Sequence, residues 1–262
     1  MNIEEKRPWQ AFHDREVRGS GWSGYGESLA GHKNAANQDS FILMPLQSTP
    51  HLLAAVADGL GGHNAGDVAS QTACEAIYAC VTRGLLDRIG ETGKDVKKIL
   101  AAMTLEAHQA IASRSAGDPE LDGMGSTLTM ALIDHESAWF CHVGDSRLYH
   151  ISGTQCRQLT EDDAPEDLGV NADTGHMLEQ ALGLEDPGGQ LDIHGGNTRL
   201  VPGDSLLLCS DGLSDCLAEQ TLADIVSTGT STVKRAHDLV QAALHAGSSD
   251  DITTLLVDLA RA

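Results

Sequence analysis

Five short acidic motifs are spread through this sequence: VADGLGGH (56–63), GDSRLY (144–149), LTED (159–162), CSDGLSD (209–215) and SSDDITTLLV (248–257). In each, an aspartate stands beside a glycine or where an apolar run ends, so a carboxylate is offered at a turn or strand terminus. Oxygen ligands delivered in this way suit Mg2+ and Mn2+, which take near-octahedral oxygen sets and keep several waters. Two such ions about 3.5–4 Å apart lower the pKa of a shared water and neutralise charge on an attacked phosphoryl group. The pattern predicts a hydrolytic metalloenzyme. Any one of these aspartates is equally well explained as a turn or capping residue; the ordered set carries the argument.

Several kinds of element must present these motifs. Segments 40–45 (SFILMP) and 51–57 (HLLAAVA) read as strands, the second ending where Asp58 and its glycines turn the chain. Residues 67–83 and 96–115 carry apolar side chains at helical spacing and predict two helices. From Ser126 the runs STLTMALI, SAWFCHV, RLYHI and QCRQLT are short, β-rich and separated by turn residues, which predicts an antiparallel meander. Residues 163–177 read as an irregular acidic flap; NTRL and SLLLCS read as strands about a Pro-Gly-Asp turn at 202–204. A helix over 232–245 and a closing strand over 252–259 follow. Strands, a helix pair, more strands, a late helix and a last strand suggest an α+β sheet sandwich with its helices outside.

With 262 residues the chain could form one large domain or two small ones. Acidic motifs from Asp58 to Asp251 that meet at one site favour one domain, over 20–262, behind an aperiodic, charged N-terminal arm at 1–19. A net charge of −21 argues against nucleic acid, which is bound through lysine and arginine. No apolar run approaches the roughly 18–20 residues of a membrane span, and MNIEEKRPWQ lacks a secretory apolar stretch, so a soluble, cytoplasmic protein is expected. The six cysteines lack CxxC pairing and read as reduced, mostly buried thiols, and the 12 histidines lack zinc-site spacing.

Taken in order, these motifs resemble the metal-dependent serine/threonine protein phosphatases, the type 2C or PPM family, from about Gly31 to Leu259. The resemblance implies a four-layer α-β-β-α sandwich of two antiparallel sheets flanked by helices, with a two-metal centre at one end of the sheets. By the same resemblance Asp58 would bridge two Mn2+ or Mg2+ ions, the Gly59 carbonyl would bind the second ion, and Asp211 and Asp250 would complete the first ion's shell. Asp162 and Asp215, with Asp211, match the positions of a weaker third ion. Asp39 would act in the outer shell through bound water, and His63 is the nearest candidate to protonate the departing alkoxide. The implied activity is hydrolysis of phosphoserine and phosphothreonine by a metal-activated water. Such an enzyme would act, as a monomer, on phosphorylated proteins and oppose a Ser/Thr kinase.

The sequence departs from the family's pattern at three places. Asn34 stands where an arginine commonly grips the substrate phosphate, and His32, on the same face if GHKNAAN is extended, is the expected substitute. Asp251 replaces the usual Asn after the last metal-binding Asp; its carboxylate could face solvent, strengthen the ion site or raise neighbouring pKa values. Asp163 stands where a His commonly follows the LTxD Asp. Two alternatives arise from the same chain. Asn34 raises that of a pseudophosphatase, a phosphoprotein-binding regulatory module without turnover. CHVGDSR (141–147) has the CxxGxxR spacing of cysteine-dependent phosphatases, but a strand follows it where that chemistry needs a helix.

Overall fold

The structure, a computed structural model, describes residues 14–32, 36–47, 49–60, 65–89, 93–163, 178–184, 191–228 and 230–260. Among them two sheets pack face to face. The first is formed by β1 (Arg15–Gly19), β2 (Trp22–Leu29), β12 (Ile252–Leu259), β11 (Ser205–Cys209), β8 (Arg147–Ser152) and β9 (Gln155–Gln158), in that spatial order. The second runs β10 (His194–Arg199), β7 (Ser137–Val143), β6 (Leu128–Ile133), β4 (Leu52–Leu60), β3 (Asp39–Pro45), with the short β5 (Gly125–Ser126) paired to the end of β4. Every pairing is antiparallel. Helices α1 (Ala65–Thr82) and α2 (Gly93–Ala116) cover the second sheet; α3 (Asp211–Ser214), α4 (Glu219–Thr228) and α5 (Thr232–His245) cover the first.

The near-continuous apolar runs of the central strands follow from this layering, because both faces of each sheet are buried and alternate side chains serve different cores. In β4, Leu52, Ala54 and Val56 enter the core between the sheets, while Leu53, Ala55 and Ala57 meet α1 and α2. In β11, Leu206 and Leu208 face the inner core, while Leu207 and Cys209 face the helices of the first sheet. The four-layer α-β-β-α sandwich implied by the resemblance is the fold observed.

Some expectations are met residue for residue, as for α5 and β12. Others change. Arg15–Gly19, read as part of a loose arm, is edge strand β1, paired with β2. The meander is split: β6 and β7 pair in one sheet, β8 and β9 in the other, and the chain crosses between sheets at Gly144–Asp145–Ser146. Gly144 makes that crossing with φ +105, a backbone conformation that L side chains rarely adopt.

Candidate metal centre

The acidic motifs converge at one end of the sandwich, where β3 and β8 begin and β4 and β11 end. Asp39 and Asp58 are direct cross-strand partners in β3 and β4. Asp39 is buried; its Oδ2 accepts from Ser210 Oγ at 2.7 Å and its backbone N–H donates to Asn37 Oδ1 at 2.9 Å. Its Oδ1, equally buried, has no hydrogen-bond partner. Burial pushes the Asp39 carboxyl up to about 8, against the hydroxyls of Thr253 and Ser210 and with the help of the negative Asp251 and Asp211. Asp58 is raised well above the usual carboxylate range, first by burial and then by Asp39, Asp211, Asp145 and Asp250.

The backbone around Asp58 is tightly held. Its N–H donates to Thr127 Oγ1 at 3.0 Å, and its carbonyl accepts from Thr127 N–H at 2.8 Å and Ser126 Oγ at 3.0 Å. Gly59 follows with no room for a side chain: a Cβ would lie 1.9 Å from the Gly66 carbonyl oxygen of α1. Asp211 opens α3, directly after β11 and Ser210. The next residue, Gly212, lies so close to the start of β12 that a Cβ would meet the Asp251 carbonyl oxygen at 2.1 Å, which sets the Asp211 turn beside Asp250. Asp250 Oδ1 accepts from the Asp251 N–H at 3.0 Å.

The remaining acids divide. Asp145, which the sequence assigns to holding the GDSR turn, is among the charges that raise Asp58 and so belongs with the cluster. Asp162 sits differently: Arg147 grips it in bidentate fashion, Nε donating to Oδ1 at 3.1 Å and Nη2 to Oδ2 at 2.7 Å, and Gln158 Nε2 donates to Oδ1 at 2.8 Å. Asp215 caps the C-terminal end of α3 and is exposed. Asp163 is a buried tie: Gly144 N–H donates to its Oδ2 at 2.7 Å, Gln180 Nε2 donates to the same oxygen at 2.9 Å, and His194 Nε2 lies 3.0 Å from Oδ1. Asp251 is also buried, and of the three readings open to it solvent exposure is removed, while its charge does raise Asp39. His32 is exposed beside the cluster, its N–H donating to the Ser249 carbonyl at 2.8 Å. His63 and Asn34 lie outside the described residues, as does most of the acidic flap.

The donor set suits a hard divalent cation: carboxylate oxygens, one of them buried without a partner, under the influence of charges that are all negative. Among the described residues no three Asp, Glu, His or Cys side chains stand close enough to hold a metal ion as they are placed. Cysteine-dependent phosphatase chemistry is excluded locally. Cys141 lies within β7, β8 follows the turn, and burial pushes its thiol up to about 12 where a nucleophile needs a depressed value.

The chain matches the family model for protein phosphatase 2C over residues 29–246. It is 33% identical over 227 residues to the serine/threonine protein phosphatase PstP of Mycobacterium tuberculosis, covering 79% of this chain and 40% of that protein. The chain therefore spans about two fifths of the length of that relative. It is also 33% identical over 219 residues to the serine/threonine phosphatase stp of Listeria welshimeri, covering 78% of this chain and 82% of that one. Among solved structures, the catalytic domain of PstP in complex with two manganese ions superposes with a TM-score of 0.75 at 30% identity, over 91% of this chain and 98% of that one.

Proposed function

The chain belongs to the protein phosphatase 2C family, and from that premise we propose that it hydrolyses phosphoserine and phosphothreonine in proteins with Mn2+ or Mg2+ as cofactor. The observation that carries the reading is the gathering of Asp39, Asp145, Asp211 and Asp250 about Asp58, with burial and mutual repulsion raising Asp58. Such a set is unfavourable by itself and becomes favourable around cations.

Asp58, the Gly59 carbonyl, Asp211 and Asp250 are the residues that would hold two ions. When bound, the ions supply an acidified water and positive charge opposite the phosphoryl oxygens. Asp39 would act in the outer shell through bound water: Ser210 holds its Oδ2, and its buried Oδ1 has no hydrogen-bond partner. His63 is our candidate to give a proton to the departing serine or threonine oxygen. His32 and Asn34 are our candidates to receive the substrate phosphate, and an Asn34→Arg variant should lower KM for a phosphopeptide; an unchanged or higher value counts against that role. For a third ion we retain Asp162 and Asp215, with Asp211; Asp162 would first have to release contacts to Arg147 and Gln158.

We further propose phosphorylated proteins as substrates, an opposing Ser/Thr kinase, a monomeric state and a cytoplasmic location. No helix among the described residues is long and apolar enough to cross a membrane. The pseudophosphatase alternative draws no support from the cluster, since each core carboxylate is present. The deciding experiment is hydrolysis of a phosphothreonine peptide by the wild-type protein with Mn2+, in EDTA, and by Asp211→Ala. Turnover that needs both metal and Asp211 is expected; tight peptide binding without turnover would establish the binding module instead.

A further inference from the structure

Asp251 is buried at the start of β12, immediately after Asp250, and is 4% exposed. Each of its carboxylate oxygens accepts one backbone amide: Gly31 N–H donates to Oδ1 at 2.8 Å and Gln38 N–H to Oδ2 at 2.8 Å. These amides belong to opposite ends of the segment 31–38, one just beyond β2 and the other just before β3. Because β2 and β12 lie in the first sheet and β3 in the second, the carboxylate bridges the seam between the sheets at the site end.

The bridge continues into both halves of the acidic cluster. The Gln38 carbonyl accepts the Gly59 N–H at 3.0 Å, next to Asp58. On the other side a Cβ at Gly31 would lie 2.3 Å from the Asp250 carbonyl carbon, so the segment's first residue is pressed against the Asp250 backbone. His32 N–H then donates to the Ser249 carbonyl at 2.8 Å. Gly31 thus abuts the Asp250 backbone and Gln38 the backbone next to Asp58, and one side chain holds both residues.

We infer that Asp251 is a positioning residue that ties Gly31, just beyond β2, to Gln38, just before β3, and so fixes where the adjoining His32 stands to receive the substrate phosphate. The kinetic half of this inference rests on the phosphatase reading. The chemistry calls for a carboxylate: two N–H donors face the side chain, and an ionised Asp presents two acceptor oxygens and no donor. Asparagine would keep one acceptor and turn its NH2 group towards the other amide. Alanine would leave both amides without their acceptor in a buried place. With both oxygens at hydrogen-bond distance from amides, Asp251 acts through the backbone rather than on the ions.

The test compares wild type, Asp251→Asn and Asp251→Ala in phosphothreonine-peptide hydrolysis at saturating Mn2+, together with hydrogen exchange of the Gly31 and Gln38 amides in the metal-free proteins. KM should rise about tenfold in the Ala variant, within the roughly hundredfold that a misplacement of about 1 Å can cost. The Asn variant should show a smaller rise, with kcat within about twofold of wild type in both. Exchange at the two amides should quicken in the same order. An Asn variant equal to wild type in KM and exchange, or a fall in kcat at constant KM, would overturn the inference. If the Ala variant does not fold, the Asn variant decides by the same two readouts. If the wild type fails to turn over the peptide, the phosphatase reading falls, while exchange still decides the clamp: faster exchange in the variant supports it and unchanged exchange removes it.

Discussion

The two ends of β12 carry aspartates in opposite circumstances. At the far end, Asp258 accepts from Ser205 Oγ at 2.6 Å, from Thr232 Oγ1 and from the Arg235 guanidinium. Asp204 nearby accepts the Val201 N–H at 3.0 Å and lies 2.8 Å from His150 Nε2; burial pushes its pKa up, but hydrogen bonds from Ser152, Val201 and His150 outweigh it and the net shift is downward. At the other end of the sandwich the charges bearing on Asp58 are those of Asp39, Asp211, Asp145 and Asp250. One end is satisfied by the chain itself. At the other end Asp58 is surrounded by further carboxylates, and this separates the part of the molecule that neutralises its own charge from the part where a cation would do so.

Substitutions that remove one carboxylate from each end should therefore move activity and stability in different directions. The largest effect is expected from Asp58→Asn: loss of several kcal/mol of metal-derived transition-state stabilisation, a fall of about 10³-fold or more in kcat/KM for a phosphothreonine peptide. The same variant, metal-free, should melt above wild type because a buried like charge is gone. A lower melting temperature in calorimetry would break the contrast. Asp258→Ala should do the reverse. It strands a mostly buried Arg235 and costs about 3 kcal/mol, or about 6–12 °C in melting temperature, with kcat unchanged at a temperature where the variant is folded.

Adding Mn2+ at a hundredfold excess over Kd should stabilise the wild type by about 2.7 kcal/mol. The shift should persist in Asp258→Ala and shrink in Asp250→Asn; equal shifts in all three would place the ion elsewhere. The last expectation concerns pH. Between an unfolded carboxylate value near 4 and about 8 for Asp39, the metal-free folded state keeps a proton that the unfolded chain has released. Stability then falls as pH rises through that window. Thermal melts in EDTA should show that loss of stability between pH 5 and pH 8, and saturating Mn2+ should remove it. A metal-free protein that gains stability over this range would mean that Asp39 is ionised throughout.

Elements were legible in the sequence where one signal dominated. Helix α5 combines an apolar stripe (Ala236, Leu239, Val240, Ala243) with a Ser231 cap, and β12 is a β-rich run bounded by polar turns. Strand β2 was hidden by its glycines, which tertiary packing requires: a Cβ at Gly26 would lie 2.6 Å from Leu255 Cδ2 and 2.8 Å from Phe41 Cε2. Helix α4 (EQTLADIVST) is rich in weak helix formers, although buried Leu222, Ala223 and Val226 keep helical spacing and could have revealed it. The sheet crossing at Gly144 was illegible because alternation is the same whichever sheet a hairpin joins.

The sequence by itself determined which residues could carry chemistry and in what order, because motif spacing and residue type are local. It could not show what surrounds each aspartate. Asp58, Asp162 and Asp258 are the same side chain, yet Asp162 is taken by Arg147, Asp258 by Arg235, and Asp58 is left among carboxylates. The charge on a buried group depends on which groups lie within a few ångströms and how much water is excluded. Those neighbours come from distant parts of the chain, and only the folding of two sheets onto one another decided them.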